Sequence, residues 1–106
     1  MSERECVNRL REWIESLSDI NYYRDKYDNV CYGNSKQKHI VHLHAYNLHA
    51  DIEVNDSNKF KEYLDKHELR PHEWNPDKWL IVDVDDWKKY EIAKEIIYDV
   101  YDNERT

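Results

Sequence analysis

A chain of 106 residues with a formal net charge of −7 and 37% charged residues is sized for one domain with one core, and its acidic balance argues against direct, sequence-independent binding to nucleic-acid backbones. Four Trp, nine Tyr and one Phe supply apolar area that disordered chains of similar charge lack, so residues 1–106 are expected to fold as a single domain. No apolar run approaches a membrane span, the N-terminal SERECVNRLREW is charged where a secretory leader is apolar, and Cys6 and Cys31 lack metal-ligand or redox-motif spacing. That predicts a soluble, cytoplasmic protein without a membrane partner and with two ordinary reduced thiols.

Ser2–Leu17 predicts a helix. Val7, Leu10, Ile14 and Leu17 recur at helical spacing, Ser2 and Glu5 form an S-x-x-E capping box, and Trp13 sits beside the apolar stripe. Ser18–Gln37 is rich in Tyr, Asn and Asp and holds the only glycine, Gly33. It reads as a loop with one short strand around Asn29–Tyr32. Tyr22, Tyr23, Tyr27 and Tyr32 are placed either as platforms for bases or a ring-shaped ligand, or as amphipathic side chains sealing a sheet edge.

Lys38–Asn55, KHIVHLHAYNLHADIEVN, reads as two strands folded back on each other. With Asn47 and Leu48 as the turn, or with a four-residue loop Tyr46–His49, His44 stands opposite Asp51, Leu43 opposite Ile52, His42 opposite Glu53 and Val41 opposite Val54. Alternation then places Val41, Leu43, Ala45, Ala50, Ile52 and Val54 on an apolar face, and His42, His44, Asp51 and Glu53 on a polar one.

Asp56 or Ser57 caps a second helix to about Lys66, with Phe60, Tyr63, Leu64 and His67 on one side. The RPHEWNPD segment Arg70–Asp77 carries both prolines and reads as a connection. Trp79–Val84 alternates as a strand, with Leu80, Val82 and Val84 facing one way and Trp79, Ile81 and Asp83 the other. Asp85 or Asp86 caps a last helix with Tyr90, Ala93, Ile97, Val100 and Tyr101 as its stripe. The apolar hairpin face needs a cover and the two terminal helices each have one stripe to bury. The predicted fold is an α+β two-layer sandwich, an antiparallel sheet with N- and C-terminal helices packed on one face.

The segment WNPDKWLIVDVDDWKKYEIAKEIIYDVYDN resembles the C-terminal half of MmcQ/YjbR-like domains at Asn75, Lys78, Trp79, the strand to Val84, and Tyr98 or Tyr101. HADIEVNDSNKFKEYL is similar to the central strand and short helix of small domains found beside restriction and other DNA-directed proteins. The resemblance implies a frataxin-like fold with terminal helices on an antiparallel sheet. Departures are Pro76 and Asp77, which interrupt the Asn-Lys-x-Trp spacing, and a first loop without the family's glycine-rich strand pair.

Two constellations carry chemistry. Directly opposed across strands, His42 with Glu53 and His44 with Asp51 have Cβ atoms roughly 5 Å apart. They form either two cross-strand ion pairs or, with His49 or His39 near the ends, a site for Zn(II), Ni(II) or Fe(II). The ion-pair arrangement predicts His42 and His44 to titrate above the usual value of about 6.5. The second constellation is acidic: Asp83, Asp85 and Asp86, then Glu91, Glu95, Asp99, Asp102 and Glu104, with 91, 95, 99 and 102 on one helix face. It is a solvated face, a weak iron chelator as resemblance to frataxin implies, or a mimic of DNA phosphates of the kind suited to phage-encoded inhibitors. There is no G-x-S-x-G, no phosphate-cradling glycine loop, and no lysine completing a nuclease set after Asp51 and Glu53. The expected function is therefore that of a small non-catalytic binding protein without a cofactor. It docks on a protein partner through His42, His44, Asp51, Glu53, Asp85, Asp86, Glu91, Glu95 and Asp99. The alternative is transition-metal binding by His42, His44, Asp51 and Glu53.

Overall fold

The computed structural model describes residues 4–27, 29–44 and 47–103. Its elements are α1 (Arg4–Ser16), β1 (Asn21–Arg24), β2 (Val30–Gly33), β3 (Val41–His44), β4 (His49–Glu53), α2 (Ser57–His67), β5 (Arg70–Pro71), β6 (Trp79–Asp83) and α3 (Trp87–Asn103). All strand pairs are antiparallel in one sheet of order β1-β2-β3-β4-β6-β5. Among the described residues no helix is long and apolar enough to cross a membrane.

Residues directly opposed across antiparallel strands point to the same face, so the register sorts the sheet into two sides. One carries Val30, Leu43, Ala50 and Val82 in a row and Tyr32, Val41, Ile52 and Leu80 in the next, all buried. Against it pack Val7, Leu10 and Ile14 of α1 and Ala93, Ile96, Ile97 and Val100 of α3. This is the expected two-layer α+β arrangement. Each fully buried Leu or Ile adds about 1.5–3 kcal/mol of burial free energy, which holds both helices on this inner face. Trp13 is partly buried against the core as expected, beside Tyr98. The predicted Ser2 cap lies outside the described residues.

Three expectations are corrected. The first loop contains a full hairpin, since β1 pairs along its length with β2. It is closed by Asp25, whose carboxylate accepts from the backbone N–H groups of Tyr27 and Asn29 at 2.8 and 3.0 Å. The RPHEWNPD connection contributes β5, an edge strand in which a proline is tolerated. The β3–β4 register is Val41↔Ile52, His42↔Asp51, Leu43↔Ala50 and His44↔His49. Each partner is therefore displaced by two residues from the expected one. Leu48, in the connection before β4, takes a left-handed φ of 59° and gives its carbonyl to Val84 N–H at 2.7 Å just past the end of β6, which ties this side of the connection to the neighbouring chain segment. A displacement of two leaves the alternation intact, and both faces keep their composition. Ala45 and Tyr46 lie outside the described residues.

Candidate metal centre on the outer sheet face

The outer face carries the row Tyr23, Cys31, His42, Asp51, Ile81 and Arg70, one residue from each of the six strands. A second row places His44, His49 and Asp83 side by side. Asp51 sits at the centre of β4, only 2% exposed. An isolated carboxylate there would cost several kcal/mol, so it must be hydrogen-bonded. Two imidazoles bond it, His44 Nε2 at 3.0 Å from Oδ2 and His49 Nδ1 at 3.1 Å from Oδ1, while His72 Nε2 stands in ion-pair range 3.5 Å from Oδ2. Burial alone would raise the Asp51 carboxyl, but the hydrogen bonds from His44 and His49 outweigh it and hold the group well below the usual carboxylate range.

His42 completes the cluster, its ring centroid 4.3 Å from that of His44, which lies 4.5 Å from His49. Contrary to expectation His42 is pushed below the ordinary histidine value. Burial is the largest cause and the neighbouring His44 adds to it, while Asp51 and Asp25 oppose both. The opposed ion pairs predicted from sequence are thus replaced by a carboxylate shared among several rings.

One nitrogen each from His42 and His44 and one oxygen of Asp51 lie within 4.8 Å of one another. Glu53, expected in this set, stands opposite Trp79 and accepts from Gln37 Nε2 at 3.4 Å. His39 lies beside Trp79. His49 joins the cluster, and so does His72, which sequence reasoning missed because it follows Pro71 in a segment read as connection.

The acidic residues are dispersed by comparison. Asp86 caps α3 by accepting from Lys89 N–H at 2.7 Å, and Asp85 lies 3.6 Å from Lys89 Nζ. Asp99 accepts from Tyr63 Oη and pairs with Lys59 at 3.4 Å, which ties α3 to α2. Glu91, Glu95 and Asp102 are exposed; Glu104 lies outside the described residues. Of the tyrosines, Tyr22, Tyr23 and Tyr27 are exposed on or beside the edge strand, whereas Tyr32 is fully buried and donates to Glu15 at 2.7 Å. Cys6 is buried and Cys31 half-buried, both free thiols whose pKa burial raises. No family model matches the chain, and neither a curated protein nor a solved structure matches it.

Proposed function

We propose that this protein binds a divalent transition-metal ion such as Zn(II) or Ni(II) through His42, His44 and Asp51. The supporting observation is the convergence of these three donors within 4.8 Å on the outer face, Asp51 buried and both histidines half-buried. Donors bound at 2.0–2.1 Å around a tetrahedral ion stand about 3.3 Å apart. The 3.0 Å between His44 Nε2 and Asp51 Oδ2 is already close to that edge. Two imidazoles and one carboxylate suit ions of borderline softness, and a ligating carboxylate that accepts from His49 has the outer support such sites use.

Calorimetric titration with Zn(II) and Ni(II) tests this reading. Sub-micromolar affinity is expected, falling on His44→Ala by more than the roughly 10–100-fold that loss of a mere outer-shell partner costs. Heats no larger than those of a folded His44→Ala variant remove the proposal.

A second reading is non-catalytic docking on a protein partner, such as a nucleic-acid enzyme with a basic groove. It is supported by the exposed acids Asp86, Glu91 and Glu95 and by Trp74 at 82% exposure. Native mass measurement with the products of adjacent genes tests it, and turnover by the isolated protein would exclude it. Terminal helices on an antiparallel sheet also support the proposed kinship with MmcQ/YjbR-like domains.

A further inference from the structure

The coordination number of an ion bound by His42, His44 and Asp51 depends on which further groups around Asp51 can reach it. Beside the three donors lies a shallow groove of about 480 Å³ bordered by His49, Arg70, His72, Glu73 and Trp74. His49, His72 and Glu73 are the further histidine and carboxylate groups lining it.

His72 is held against ligation by its own second nitrogen. Trp74 backbone N–H donates to His72 Nδ1 at 3.0 Å, so in the neutral ring the hydrogen resides on Nε2, the atom 3.5 Å from Asp51 Oδ2. Ligation through Nε2 would move that hydrogen to Nδ1 and set it against the Trp74 N–H. His72 therefore turns an N–H, not a lone pair, toward Oδ2. His49 Nδ1 stands 3.1 Å from Oδ1, but neither His49 nor His72 belongs to the set His42, His44 and Asp51 whose donor atoms converge within 4.8 Å. The converging set therefore offers three protein ligands, and Glu73 is exposed on the rim.

Resting on the metal reading, we infer that the bound ion keeps one coordination position open toward this groove and takes a small oxyanion there, a carboxylate or a phosphate. Charge favours that class of ligand. A divalent ion with two neutral imidazoles and one carboxylate retains a net single positive charge, while Arg70 is already paired with Asp83 at 2.9 Å. Without the ion the groove holds Asp51 and Glu73 against one arginine, itself already paired outside the groove lining with Asp83, so anion binding depends on the metal. Three protein ligands with one exchangeable position is the pattern of sites that handle ligands, as opposed to closed structural ones.

Loading the intact protein with Co(II), whose visible absorption reports coordination, tests this directly. Acetate and inorganic phosphate, each against perchlorate at equal ionic strength, are expected to shift the band saturably, and the arm that saturates at lower concentration identifies the preferred oxyanion. Glu73→Gln should retain the response. Uptake of Co(II) with a spectrum indifferent to both anions overturns the open position and leaves metal binding standing. A response that appears only in Glu73→Gln shows that Glu73 fills the position and overturns it too. Failure to take up Co(II) at all removes both readings.

Discussion

A buried carboxylate bonded by two imidazoles responds to pH differently from the exposed ion pairs that strand alternation suggests. In the metal-free protein His42 is expected to titrate below about 6.5, since burial and then His44 disfavour its cation more than Asp51 and Asp25 favour it. A depressed folded value means that the unfolded chain binds the proton more readily. The contribution of His42 to stability is then fully present above the unfolded pKa and is lost as pH falls through the lower folded value. Asp51, also depressed, acts in the same direction in a more acidic window, below about pH 4. Carbon-detected NMR titration with a chelator present checks this. A His42 midpoint at or above that of an unfolded peptide contradicts the burial of the ring.

Between strands, the single glycine has a structural duty that periodicity does not reveal. A Cβ at Gly33 would overlap the carbonyl oxygen of Lys38, because the loop after β2 doubles back over it, tied by Asn34 N–H to Gln37 O at 2.9 Å. The obstacle is backbone, so Gly33→Ala is expected to cost about 2–4 kcal/mol by forcing that loop away, measured as a lower urea midpoint at unchanged slope. The inner face was legible because Val41, Leu43, Ile52, Leu80 and Val82 alternate and the stripes of α1 and α3 follow helical spacing. β1 was not, since all four of its residues are exposed and give no alternation. β5 hid behind Pro71, and the β3–β4 connection is tied by a long-range bond from Val84 to Leu48 that local alternation does not encode. The same logic divides the site. His42, His44 and Asp51 share a face by parity alone, whereas His72 reaches Asp51 from two strands away, which no local pattern encodes.

Across the whole molecule, core and candidate site lie on opposite sides of one sheet. Chelators are therefore expected to leave the fold intact, and metal to add stability by mass action. Saturation at a hundred times the dissociation constant adds about 2.7 kcal/mol, read as a rise in melting temperature that His44→Ala abolishes. A chain that unfolds on chelation would show that the metal builds the core. The two margins of the sheet also differ in kind. His72 N–H is directed inward to Trp79 O at 2.8 Å, so alternation aims the preceding position outward, and there Pro71 has no hydrogen to offer. β1 at the other margin carries no proline. Growth of a continuous ribbon requires two receptive margins per molecule, and this one has a single receptive margin. Strand exchange through β1 would thus terminate at a pair, a built-in stop against fibre formation.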